Sequence, residues 1–95
     1  MYFVYIIYCK DDALYTGITG NIRKRLSEHS VGMVPFTKNR KPVKLVFYEI
    51  FNSRVNAAKR EKEIKGWRRE KKEDLIKKFT LNKLRFMKRG SSSVG

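Results

Sequence analysis

The chain has 95 residues and a formal net charge of +14, from 23 lysines and arginines against 9 acidic residues. That length supports one domain with a modest core, and 41% hydrophobic with 13% aromatic residues excludes wholesale disorder. The one cysteine, Cys9, excludes an internal disulfide and a multi-cysteine zinc site, and fits a reducing compartment.

So large an excess of one sign repels itself, which points to a polyanionic partner: nucleic acid first, an anionic membrane surface second. A generally basic soluble protein is the plainer alternative. The apolar run Tyr2–Cys9 has no basic residues ahead of it and ends at Lys10, Asp11 and Asp12, unlike a signal peptide. No stretch approaches the roughly 20 apolar residues that span a bilayer. The expectation is a soluble cytoplasmic protein with no membrane attachment.

Tyr2–Cys9 is nearly all β-branched or aromatic and predicts a strand apolar on both faces, central in its sheet. Lys10, Asp11 and Asp12 predict a turn, and Leu14–Thr19 a second strand completing a hairpin. Gly17 inside that strand predicts a bulge or a close approach, with a phosphate as one candidate. Asn21 predicts the cap of a helix reaching about Ser30. Its core stripe is Ile22 and Leu26, with Arg25 and His29 as an i, i+4 pair at the helix–sheet edge.

Residues 31–42, with two prolines and several basic residues, read as a loop holding at most one helical turn, long enough to be functional. Val43–Phe51 predicts the third strand. Asn52 or Ser53 caps a helix over Arg54–Lys65 that Gly66 ends or bends. Residues 68–79 predict another amphipathic helix through Leu75, Ile76 and Phe79. The pattern weakens after residue 80, so 1–80 is read as the domain and 81–95 as a basic extension with a flexible tail from Gly90.

Residues 52–89 hold 15 basic and 5 acidic side chains, an imbalance that predicts contact with phosphates. Glu61 is the most informative carboxylate, because it shares a helix face with Ala57, Ala58 and Ile64. An ionised group there needs a partner or a metal, and a salt bridge to Arg25 is the plain explanation. Glu63, near Lys59 and Lys62, needs only a solvated ion pair. Tyr5 and Tyr15 read as packed strand tyrosines or as catalysts. Four of the five tyrosines lie in the first hairpin. His29, the single histidine, reads as structural or, with Arg25, as part of an anion-handling pair.

The order V-Y-I from Val4, Y-T-G from Tyr15, then Arg25, His29 and Glu61, with R-E-K-E-I-K-G-W from Arg60, resembles the GIY-YIG nuclease family. The likeness is closest to its short, stand-alone bacterial members and covers nearly the whole domain. Both signature tyrosines are kept, although the triplets read V-Y-I and Y-T-G, and the asparagine many relatives carry after the glutamate helix has no clear match.

The resemblance implies an α+β domain, a three-stranded antiparallel sheet flanked by helices, that cleaves phosphodiester bonds in DNA with Mg²⁺ or Mn²⁺. Tyr5 and Tyr15 are then the signature tyrosines, Arg25 the essential arginine, His29 the family's histidine-or-tyrosine position and Glu61 the metal ligand. Gly17, Arg23, Lys38, Arg40, Lys65, Arg68, Arg69 and Lys72 are the expected nucleic-acid contacts. The expected setting is DNA repair or recombination, with sensitivity to DNA structure. RNA is a second candidate partner, and a protein partner is expected to direct targeting. The alternative is a nucleic-acid-binding module of the same fold that turns over poorly. One geometric condition follows: Tyr5 and Tyr15 share a face only if the hairpin loop has an odd count or a bulge.

Overall fold

A strand apolar on both faces needs cover on both sides, and β1 (Tyr2–Cys9) receives it as the central strand of a sheet ordered β2-β1-β3. β2 (Leu14–Thr19) and β3 (Val43–Phe51) flank it, both antiparallel. The helices are α1 (Ile22–Ser30), α2 (Arg54–Lys65) and α3 (Arg69–Val94). The computed structural model describes residues 1–94, with side chains as far as Leu84.

The hairpin loop is Lys10, Asp11 and Asp12, closed by Cys9 N donating to Ala13 O at 2.9 Å. Asp12 N donates to Cys9 O at 3.0 Å, and Asp12 takes a left-handed φ of 71° that aspartate tolerates better than most residues. Its carboxylate accepts from the Tyr8 hydroxyl and pairs with Arg69 at 3.2 Å. Three loop residues are an odd count. Tyr5 therefore lies opposite Gly17 and Ile7 opposite Tyr15, and both tyrosines point to the same side.

That side is the α1 layer, where Tyr5, Ile7 and Cys9 are buried with Tyr15, Ile22, Leu26, Val43 and Leu45. The other side is the main core: Val4, Ile6, Phe47, Ala57 and Ile64, with Trp67, Leu75, Ile76 and Phe79 against it. The β1–β2 ladder runs unbroken; the irregularity lies in β3, where the register slips between Ile6 and Ile7 and Val46 becomes an extra residue.

Asn21 caps α1, its side chain accepting from Lys24 N at 3.1 Å, and Ser53 caps α2 by accepting from Asn56 N at 3.1 Å. Gly66 is the last-turn cap of α2. Residues 31–42 form successive turns with no helix, pinned by the buried side chains of Val34 and Thr37 and by Lys10 N donating to Arg40 O at 2.9 Å.

Two expectations need correcting. Ala58 is exposed, so the buried face of α2 is narrower than the pattern suggested. The helix expected to end at Phe79 continues to Val94, across the anticipated boundary at residue 80; no proline follows Pro42, and a lone glycine does not stop a helix. Gly95 of the expected tail lies outside the described residues. Among those described, no helix is long and apolar enough to cross a membrane.

Candidate active site

Tyr5 is the hub. Its ring crosses Gly17 so closely that a Cβ there would lie 2.5 Å from the hydroxyl oxygen and 2.6 Å from Cζ. The close approach that Gly17 permits is thus made by this phenol, and Gly17 itself is buried beneath it. The cap at Asn21 sets the phase of α1, which aims Arg25 and His29 at the same hydroxyl one turn apart. Arg25 Nε donates to Tyr5 Oη at 3.3 Å, and His29 Nε2 lies 3.0 Å from it.

The line continues away from α1. His29 Nδ1 lies 2.9 Å from Thr37 Oγ1, whose own proton goes to Val34 O at 3.4 Å. We assign the tautomer from that order: with the Thr37 proton on Val34 O, Oγ1 accepts from Nδ1–H and the Nε2 lone pair is left to accept from Tyr5. Every donor in the file points one way, from Arg25 through Tyr5 and His29 to a backbone carbonyl. Tyr5, His29 and Thr37 are all fully buried.

Burial sets the protonation states. It pushes the Tyr5 phenol up to about 12, against the opposing pull of the Arg25 hydrogen bond; the charges of Tyr15 and Glu61 also raise it. Burial likewise lowers His29 below its usual 6.5, with the Arg25 charge adding to the effect. His29 is neutral at pH 7. Arg25, raised chiefly by its bond to Tyr5, stays charged and donates a second bond from Nη1 to Glu28 Oε1 at 3.1 Å.

Tyr15 stands on the solvent side of this group, half-buried, its ring edge-on to His29 at 5.0 Å and tilted against Tyr5 at 6.2 Å. Glu61 is mostly buried, with 18% of its side chain exposed, and reaches the cluster through its charge on Tyr5. Its carboxylate pairs with Lys65 at 3.3 Å, and the salt bridge to Arg25 considered from sequence is not made, because Arg25 takes Glu28 at closer helical spacing. Glu63 forms an ordinary ion pair as expected, but with Arg60 rather than with Lys59 or Lys62.

Among the described residues no group of three or more His, Cys, Asp or Glu side chains could hold a metal. Glu61 fits a narrower role. Mg²⁺ takes one or two carboxylates and fills its shell with water and phosphate oxygens, and a carboxylate held by a single lysine can exchange that partner for a cation.

The expected basic contacts divide. Arg40 lies beside the cluster, its guanidinium 4.3 Å over the Phe36 ring, which in turn packs 5.1 Å from Tyr15. Lys65 comes in through Glu61. Arg23 and Lys38 are exposed on α1 and the following loop. Arg69 is held at the hairpin tip by Asp12 and by Glu73, beside the α3 layer, and makes no contact with the tyrosine cluster; Arg68 and Lys72 flank it in sequence. Sequence reading did not single out Thr37, Glu28 or Phe36, although it gave the loop that holds Thr37 and Phe36 a functional part. Glu28 had a signal, its i, i+3 spacing from Arg25; Thr37 and Phe36 lie in a loop without periodicity.

Two tyrosines on adjacent strands, an arginine and a histidine from the next helix, and a glutamate from the helix after β3 form one constellation on one small α+β fold. The chain belongs to the GIY-YIG family, for its residues 1–74 match the GIY-YIG catalytic domain. Similar chains carry the name UPF0213 protein. One from Haloquadratum walsbyi is 44% identical over 80 residues, covering 83% of this chain and 90% of that one. Another, from Staphylococcus haemolyticus, is 45% identical over 76 residues, or 79% and 93% of the two chains. The solution NMR structure of a UPF0213 protein from Bacillus halodurans shares 38% identity and superposes with a TM-score of 0.55 over 81% of this chain and 84% of that one.

Proposed function

We propose that this protein is a metal-dependent endonuclease that hydrolyses phosphodiester bonds in DNA. The observation that carries the reading is the one-way file of hydrogen bonds from Arg25 through Tyr5 to His29 and Thr37, set beside Tyr15 and under the charge of Glu61. A surface that only binds phosphates needs exposed cations. It has no use for a neutral imidazole sealed behind a phenol.

Tyr15, the more exposed of the two tyrosines, meets the attacking water; its own phenol proton passes to bulk solvent and the phenolate then accepts the water's proton, with the His29 ring edge beside it. Tyr5 is already engaged on two sides and positions Arg25 and His29. Arg25, 38% exposed at its side chain, keeps its charge and faces the phosphate, where it offsets charge building in the transition state. Glu61 is the residue that would hold Mg²⁺ or Mn²⁺; when bound, the metal polarises a phosphate oxygen and stabilises the leaving 3′ oxygen. Structure-sensitive cutting in DNA repair or recombination, within the cytoplasm and aided by a targeting partner, is the setting this chemistry suits.

The test is cleavage of labelled single-stranded, duplex and branched DNA with Mg²⁺, Mn²⁺ or EDTA. Wild type should cut only with metal, and Glu61→Gln and Arg25→Ala should each lower the rate by roughly 100-fold or more without loss of the folded-state circular dichroism. Tight binding with no cutting by any of the proteins would replace the enzyme with a binding module. Cutting that survives Glu61→Gln would remove Glu61 from the site.

A further inference from the structure

Phe36 is out of place for a phenylalanine. Its neighbours Val34 and Thr37 are buried, yet the residue keeps 39% exposure at the rim of the cluster. It is not loose there. Thr37 N donates to Val34 O at 3.1 Å, Arg40 N donates to Thr37 O at 3.1 Å, and the Thr37 side chain is tied to His29. The loop therefore holds an aromatic ring in a fixed place, packed at 5.1 Å against Tyr15 with the Arg40 guanidinium 4.3 Å over it. Arg40 is itself lightly held, at 3.5 Å from a half-exposed Asp11.

We infer that Phe36 and Arg40 form a stacking platform for an unpaired base of a polynucleotide strand, next to the phosphate handled by Tyr15 and Arg25. An arriving base takes the face of the Phe36 ring, and Arg40 moves from the ring and from Asp11 onto the phosphate of that nucleotide. Every base has a π-face, so the platform ignores sequence while demanding that the base be out of its pair. A base inside a duplex is stacked on both sides and cannot reach the ring without being extruded. The inference rests on the nuclease reading for its placement beside a scissile phosphate, but the contact itself is one of binding.

The experiment therefore needs no turnover. Full-length protein in EDTA is titrated with fluorescein-labelled strands of one sequence, single-stranded and duplex, as DNA and as RNA. Phe36→Leu should lower the single-strand to duplex affinity ratio by about tenfold, and Phe36→Trp should restore it. A single strand whose bases are replaced by abasic sites should bind wild type no better than it binds Phe36→Leu. A ratio unchanged in Phe36→Leu, with its thermal midpoint near that of wild type, would overturn the platform even if the wild-type protein cuts DNA. A ratio that falls as expected in a protein that never cuts would uphold the platform and sink the nuclease. If Phe36→Leu fails to fold, the abasic strand against the wild type decides alone: equal affinity for strands with and without bases overturns the inference. The RNA arm shows whether the 2′-hydroxyl is admitted.

Discussion

His29 shows how burial converts one side chain into a pH sensor for the whole fold. Its folded value lies below the ordinary 6.5, chiefly through burial and then through Arg25, so the unfolded chain binds a proton here more readily than the native one. The His29 contribution to stability is fully present above pH 6.5 and is lost as the pH falls through the lowered native value. Thermal unfolding followed from pH 7.5 to 5 should show the midpoint dropping, and His29→Gln should flatten that slope; an equal slope in both proteins would place the acid sensitivity elsewhere. At this scale the sequence was informative wherever residue type and helical spacing coincide. Arg25 and His29, four apart, were legible as a pair, and so was Glu61 between Ala57 and Ile64. Thr37 was not, because its importance lies in a contact with a helix eight residues behind it, and no periodic pattern in a loop announces such a bond. The direction of the pairing at Glu61 was equally hidden, since Glu28 and Lys65 compete locally for the partners that sequence had joined to each other.

Elements were read from sequence more securely than their interplay. The three strands, the caps at Asn21 and Ser53 and the stop at Gly66 all follow from local chemistry. What local chemistry could not supply was the reason for Gly17. A glycine in a strand interior ordinarily weakens it, so alanine would be the stabilising exchange by propensity alone. Here the opposing side chain reverses the sign. A Cβ at 2.5 Å from Tyr5 Oη and 2.6 Å from Cζ leaves no room, and neither backbone of this paired ladder can yield easily. Gly17→Ala should destabilise the protein by about 1–3 kcal/mol, measured by urea unfolding, and should break the hydrogen bond from Tyr5 to His29. A neutral or stabilising effect would show that Tyr5 has another seat available. The length of α3 was the element least legible, because residues 81–89 keep helix-forming composition without a clear apolar stripe and Gly90 to Val94 have no local preference for a helix.

For the whole molecule, charge governs. The tyrosine cluster occupies one layer of the sheet, while much of the positive excess follows in sequence on α2 and α3, toward the other layer. A strand engaged at Tyr15 and also neutralising these cations must cross the edge of the sheet. Binding should then weaken steeply with salt, by about 0.7 log units per log unit of salt for each phosphate neutralised on a single strand. Affinity for labelled DNA in EDTA should fall at least roughly tenfold between 50 and 200 mM salt; a flat response would mean that the +14 charge serves something other than a polynucleotide.

Hairpin tips are ordinarily where a chain gains and loses residues without penalty. The three-residue tip of Lys10, Asp11 and Asp12 has no such freedom, because a change of one residue turns Tyr5 or Tyr15 into the opposite layer unless a bulge absorbs it. A change of two leaves both where they are. Descendants of this chain that keep their chemistry should thus have let this loop drift in steps of two, so that its length is inherited together with the tyrosine pair.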